Sequence, residues 1–154
     1  MPDTRLERLR RLAWWLDAGI PIPGTNMRIG LDAIIGLIPG VGDASGAIAG
    51  SAILLEAARM GVPTATLLRM AGNIILDAVI GAVPVLGDLF DAAWKSNLRN
   101  VELLDRHART PGTAARSDMT VVALVIGGVL AVGAGAAVAS VLIARWLFHA
   151  VTAY

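Results

Sequence analysis

Leu31-Asp32-Ala33-Ile34-Ile35-Gly36-Leu37-Ile38-Pro39-Gly40-Val41-Gly42-Asp43 returns 45 residues later as Leu76-Asp77-Ala78-Val79-Ile80-Gly81-Ala82-Val83-Pro84-Val85-Leu86-Gly87-Asp88. Leu, Asp, Ala, Ile, Gly, Pro, Gly and Asp match in register. A unit this short cannot bury its own apolar faces, so two copies are expected to pack together as a pseudo-symmetric pair. Each copy is an apolar helical stretch interrupted by a break, at Pro39, Gly40 and Gly42 in the first and at Pro84 and Gly87 in the second. Each also carries a carboxylate before the break (Asp32, Asp77) and another directly after it (Asp43, Asp88).

The rest of the chain is read outward from these copies. Its composition is 56% hydrophobic and 16% charged, with a mean hydropathy of +0.68. Soluble domains carry roughly 25% charged residues, so this composition points to a membrane. The net charge of +1 gives no basic face for nucleic acid. The chain has no cysteine, which removes disulfides, thiolate metal sites and a Cys nucleophile.

Residues 1–25 read as an amphipathic, basic interfacial helix followed by a Pro-rich connector. Leu6, Leu9, Ala13 and Leu16 recur at helical spacing, with arginines opposite and Trp14-Trp15 near the end. The alternative is a surface helix of a small bundle. Residues 26–110 hold the duplicated helix hairpins, with copies over about 26–60 and 65–107. The first copy is expected to form helices over about 26–38 and 43–60. The second is expected to form a helix over about 65–83 and another opened by Asp88, continuing as an amphipathic stretch from Trp94 to His107. Residues 111–118 form a linker, and 119–148 a transmembrane helix. Met119 to Ala144 holds 26 residues without a charge, about 39 Å of helix against a hydrocarbon core of roughly 30 Å. Gly127, Ala131, Gly135 and Ala139 repeat every fourth residue, a ridge suited to close helix contact.

The uncharged arms of the copies are shorter, twelve residues over 44–55 and ten over 78–87. A crossing needs about 20 apolar residues. Flanking cations lie away from the Pro-Gly breaks, so each copy is expected to be a re-entrant hairpin entering from the cytoplasmic side. Gly42, Gly46 and Gly50 give the first return helix a small-residue face for packing on its twin. A soluble helical domain over 1–110, tethered by the C-terminal helix, is the alternative.

Asp43 and Asp88 are placed to cap helices. Asp32 and Asp77 sit mid-helix in apolar surroundings and need partners. Arg28 stands four residues before Asp32, the spacing of an i,i+4 ion pair, and Asn73 holds the equivalent place before Asp77. These six residues, Asp32, Asp43, Asp77, Asp88, Asn73 and Arg28, form the candidate polar centre or cation pathway. Pro39-Gly40-Val41-Gly42-Asp43 has the look of a phosphate loop, but such a loop needs Lys at Asp43 and a hydroxyl at Ala44. His107 and His149 are far apart in sequence, and no zinc-protease or nucleophile-elbow pattern occurs. Glu102 and Asp105 among Arg99, Arg106 and Arg109 read as a salt-bridged outer face.

A family resemblance rests on several of these residues. They are Ile22-Pro23-Gly24-Thr25, Gly30-Leu31-Asp32, Ile35 to Asp43, Arg69-Met70, Asn73, Asp77, Gly81, Pro84, Gly87-Asp88, Asp91, and Trp94-Lys95-Ser96-Asn97-Leu98-Arg99-Asn100. The chain over roughly 5–107 resembles the domain of unknown function 4112 family. The resemblance implies a small, mainly bacterial, membrane-associated domain with no established activity.

The sequence therefore predicts an all-α small membrane protein, with two Pro/Gly-broken hairpins and one spanning helix. It is expected to lie in the bacterial cytoplasmic (inner) membrane with the N-terminus and residues 95–116 on the cytoplasmic side. It reads as non-enzymatic and without cofactor. Expected partners are the lipid bilayer, further copies of the chain in a homo-oligomer, and a monovalent or divalent cation held or conducted by the hairpin carboxylates. A non-catalytic scaffold whose aspartates cap helices is the alternative.

Overall fold

The computed structural model describes residues 4–83, 86–110 and 118–152. Pro84 and nearly all of the expected 111–118 linker lie outside the described residues, as do the side chains of Asp88 and Asp91. The fold is all-helical apart from one short strand pair. Its order is α1 (Thr4–Ala18), β1 (Ile20–Pro21), β2 (Arg28–Ile29), α2 (Leu31–Gly36), α3 (Val41–Arg59), α4 (Thr64–Gly81), α5 (Leu86–Trp94), α6 (Ser96–Ala108) and α7 (Met119–Thr152).

The helix expected over 26–38 is reduced to α2. The chain before it folds back as an antiparallel pair, Ile20 opposite Ile29 and Pro21 opposite Arg28. Pro21 and Pro23 oppose a helix there, and Gly24 turns the loop at φ +80. Gly40 makes the next break at φ +82, and a Cβ at that position would meet the Val141 side chain at 2.8 Å. Two independent demands thus fall on one glycine. Because the turn closes at Gly40, α3 opens at Val41. Asp43 then sits inside the first turn rather than at the N-cap position, and its carboxylate accepts from the backbone N–H groups of Gly40 and of Asp43 itself, so it caps the helix from within.

The α3–α4 connection is a Schellman closure. Val62 N–H donates to the Ala57 carbonyl at 3.2 Å and Gly61 N–H to that of Ala58 at 3.0 Å, with Gly61 left-handed and Val62 buried. The stretch from Trp94 to His107 is not one helix, because Lys95 at φ 52 divides α5 from α6.

The two repeat turns share their hydrogen bonds. Ile38 N–H donates to Ile35 O at 3.0 Å and Gly42 N–H to Ile38 O at 3.3 Å; 45 residues on, Val83 N–H donates to Ile80 O at 3.1 Å and Gly87 N–H to Val83 O at 2.7 Å. Gly42 rests on the backbone of Gly36, and Gly87 on that of Gly81, so closely that neither accepts a Cβ. The arms differ in length, however. The long helix follows the turn in the first copy (α3, 19 residues) and precedes it in the second (α4, 18 residues).

The short arms that motivated the re-entrant expectation are therefore parts of longer helices that continue past Glu56 and Asp77. Together with α7, α3 and α4 are each long and apolar enough to cross a membrane. α7 packs against both, and α3 packs against α4. Of the α3 glycine face only Gly50 meets the second copy, abutting Ile74 where a Cβ would lie 2.8 Å from the side chain; Gly42 rests on Gly36 of its own copy and Gly46 has nothing within 4 Å.

The ridge Gly127, Ala131, Gly135 and Ala139 is not the face that α7 packs with. Its buried face is Val122, Val129, Gly133, Ala136 and Ser140, and Gly133 crosses directly over the Ala47 side chain. Gly127 and Gly135 have nothing nearby. The four-residue period of small side chains holds on both faces, and only the partner helices select between them.

α1 is the bundle's surface helix. The stripe Leu6, Leu9 and Ala13, expected to lie on lipid, joins one core with Ile53, Leu54, Ala57, Met70, Val101, Leu104, Val122 and Val129. The outer faces of α1 and α6 are charged, with Arg10 paired to Asp105, Arg109 to Asp105 at 3.0 Å and Arg106 to Glu102 at 2.6 Å. Arg5 reaches Glu56 at 3.6 Å, which places the start of α1 beside the end of α3. The Pro-Gly end is opposite and apolar, with Leu37, Ile38, Val41, Val83 and Leu86 exposed.

Replacing Gly133 by Ile is expected to force α7 off α3, at a cost of about 1–3 kcal/mol as overpacking. Gly127→Ile is expected to leave the unfolding temperature unchanged. Thermal unfolding of both variants in mild detergent checks the assignment of the two faces.

Candidate functional site

Four helices bring one carboxylate each to a common cavity of about 40 Å³. Asp17 comes from the end of α1, Asp32 from the start of α2, Asp43 from the first turn of α3 and Asp77 from the last part of α4. Lys95 and Ser96, at the α5–α6 junction, complete the polar lining. Gly42, Gly46 and Gly81 line the same space, and the absence of side chains on them keeps it open. A cavity of this size holds a few waters at most, at roughly 10–15 Å³ for each.

Asn97 ties the site together and is 1% exposed. Its Nδ2 donates to Asp17 Oδ1 at 2.8 Å and to Asp32 Oδ2 at 2.9 Å. The other Asp17 oxygen accepts the Leu98 N–H at 2.8 Å. Leu98 is the third residue of α6, so Asp17 fills the capping position that Lys95 cannot, from 81 residues away. Ser96 Oγ donates to Asp77 Oδ2 at 2.7 Å, and Ser140 of α7 hydrogen-bonds Asp43. The Asp32 Oδ1 and Asn97 Oδ1 atoms are sealed from solvent with no partner.

The electrostatics follow from this crowding. Burial, reinforced by the charges of Asp17 and Asp77, pushes the Asp32 carboxyl up to about 7, against the hydrogen bond from Asn97. Burial also raises Asp17, opposed by its bonds to Asn97 and Leu98 and by the Lys95 charge. Four carboxylates face one ammonium here, so the fully ionised site lacks counter-charge. A proton or another cation relieves that imbalance. Among the described residues, no three acidic or histidine side chains converge closely enough for direct metal ligation.

The structure brings Asp32, Asp43 and Asp77 together as expected from the sequence and leaves two predicted members out. Arg28 does not pair with Asp32. It lies on β2, so no helical i,i+4 geometry exists, and its Nε donates to the Ala18 carbonyl at 2.8 Å while its guanidinium lies over Trp14. Those bonds satisfy the open C-terminal end of α1. Asn73 faces α6 instead of Asp77, donating from Nδ2 to Asn100 Oδ1 at 2.8 Å, and Asn100 in turn donates to the Met70 carbonyl. The Asp88 side chain is outside the described residues.

Sequence reasoning missed Asp17, Asn97, Ser96 and Ser140. One signal was present: Asn97 and Asn100 fall on the same helical stripe as Val101 and Leu104, where an amphipathic helix places core residues.

The chain belongs to the family described as Domain of unknown function (DUF4112), whose family model matches residues 5–108. The match runs from α1 to the end of α6 and does not include α7. No curated protein and no solved structure matches the chain.

Because the folded-state value of Asp32 lies above its ordinary 3.8, the folded state holds a proton that the unfolded chain has already released. Stability is therefore greatest below about pH 4 with respect to this group and is lost as pH climbs to about 7, by on the order of 2–4 kcal/mol. Unfolding temperatures in mild detergent are expected to fall between about pH 4 and 7 and to level off above that. Asp32→Asn is expected to flatten that slope; an equally steep slope in the variant contradicts the assignment.

Proposed function

We propose that this DUF4112 protein is a small integral membrane protein whose acidic cavity binds a cation, either a proton carried by Asp32 or a small hydrated ion held among Asp17, Asp32, Asp43 and Asp77. The observation that carries the reading is the sealed, unpartnered Asp32 Oδ1 in a cavity with three further carboxylates. The absence of converging ligands among the described residues favours a proton or a water-clad ion over a directly ligated metal. Broken helices meeting at a polar point inside an apolar bundle are how membrane transport proteins build such sites. No reaction is part of this reading.

Several features support the membrane placement. Arg5, Arg59 and Arg109 gather at one end of the bundle, which is the cytoplasmic end by the charge rule. The opposite end presents the apolar repeat turns, level with Ala137 and Val141 of α7. The shared hydrogen bonds of those turns support a pseudo-symmetric pair of hairpins dipping into the bilayer beside α7. One flank of the bundle, α3, α4 and α7, is mainly apolar, with Arg59, Arg69 and Arg145 exposed on it, and the other, α1 and α6, is charged. Charged flanks at bilayer depth are tolerated when they face one another or water, which favours a homo-oligomer with α1 and α6 turned inward. Conduction across such an assembly is the strongest form of the proposal.

The competing reading, a scaffold, is favoured by one observation: Asp17, Asp43 and Asp77 each bond a side chain or backbone group of another helix. Proteoliposomes separate the two. With wild-type protein, a proton or monovalent-cation flux above protein-free liposomes is expected. Asp32→Asn with helicity retained is expected to return it to background, whereas Glu7→Gln, on the outer face of α1, leaves it unchanged. A wild-type protein that passes no cation and whose unfolding temperature responds to neither pH nor added Na⁺, K⁺ or Ca²⁺ establishes the scaffold.

A further inference from the structure

A second concave feature lies on the other side of α4, away from the acidic cavity. It is an open groove of about 490 Å³ between α4 and α6, lined by Arg69, Gly72, Leu76, Trp94, Arg99 and Arg106. Three guanidiniums in one groove are conspicuous in a chain whose net charge is only +1. Arg106 is neutralised by Glu102 at 2.6 Å. Arg69 has no ion-pair partner among the described residues. Arg99 is fixed in place rather than paired: its Nε donates to the Trp94 carbonyl at 2.6 Å and its plane stacks 3.9 Å from the Trp94 ring centroid. That arrangement holds the guanidinium still and leaves its terminal amino groups for an acceptor. The Trp94 indole N–H also lacks an acceptor.

The groove has polarity along its length. Arg69, Gly72 and Leu76 of its lining share one α4 stripe, which continues beyond the groove to Val79, and Leu76 and Val79 are exposed. A cation therefore heads an apolar track. From Arg69 to Val79 the helical rise is about 15 Å, the depth of one leaflet of a roughly 30 Å core. The geometry points to a site for a phosphate-bearing anionic lipid, its headgroup held by Arg69 and Arg99 and an acyl chain laid along Leu76 and Val79. Gly72 supplies the room, since nothing lies within 4 Å of where its Cβ would be. A soluble phosphate would use the guanidiniums but leave the apolar track uncovered. The two sources of phosphate are therefore distinguishable. The site shares no residue with the acidic cavity and stands or falls independently of the cation reading.

The test is native mass spectrometry of the full-length protein in detergent, titrated with phosphatidylglycerol or phosphatidylcholine. Retention of phosphatidylglycerol over phosphatidylcholine is expected. Arg69→Gln combined with Arg99→Gln is expected to weaken it about tenfold or more, whereas Arg11→Gln, an exposed charge on α1, leaves it unchanged. Gly72→Leu fills the groove with every charge intact and favours the helix, so its expected loss of lipid cannot be ascribed to misfolding. Wild-type retention in Gly72→Leu overturns the site. Equal retention of both lipids overturns it as well. Displacement of the lipid by millimolar inorganic phosphate overturns the lipid as occupant.

Discussion

One amide nitrogen holds two carboxylates, and the domain is arranged around that contact. Asn97 Nδ2 joins Asp17 at the end of α1 to Asp32 at the start of α2, while its own helix begins on a cap supplied by Asp17. Removing water from two acids that close together is costly unless both are bonded. Asn97 is neutral and doubly donating, so it meets the demand that a single ammonium would meet with charge. Three segments far apart in sequence are fixed relative to one another by the requirement that these oxygens not be left bare. One of them, Asp32 Oδ1, is left bare nonetheless. That unmet buried acceptor beside like charges is the feature on which the proposed cation site rests.

The bundle around this point is built for close approach. Gly42 on Gly36, Gly87 on Gly81, Gly50 on Ile74 and Gly133 on Ala47 bring backbones nearer than any side chain permits. Close packing of small residues supplies cohesion where burial from water contributes little, as between helices in lipid. It also leaves narrow polar space between the helices, and the cavity is lined by three of the glycines that make the repeat turns and α3 so compact. Helix packing and site geometry thus follow from the same residues.

The outer surface divides sharply. Most of the charge lies on the flank of α1 and α6, while α3, α4 and α7 present mainly apolar side chains, with Arg59, Arg69 and Arg145 the exposed cations among them. Between the two flanks lies the Arg69–Arg99 groove, where a guanidinium stacked on an indole borders an apolar helix face. The arginine groove lies along this division, whereas the acidic cavity lies inside the bundle between α1, α2, α3 and α4.

The sequence by itself determined the all-helical class, the spanning candidate at α7 and the positions of the repeat turns, because proline, glycine and uncharged length act locally and leave periodic traces. It also carried the family, through Gly, Pro and Asp positions that fall in order. Partnerships were decided only by the tertiary structure. Arg28 turned to the carbonyls of α1 because the chain before Asp32 is extended, with Ile20 and Pro21 paired to Ile29 and Arg28 across the Gly24 turn. Asp17 entered the site because α6 starts at a lysine that cannot cap it. α7 presents Gly133 rather than Gly127 to α3, where the Ala47 side chain leaves no room for a Cβ. Hydrogen bonds and glycine contacts between residues far apart in sequence have no signature in local pattern, since each half is ordinary until the other is placed beside it.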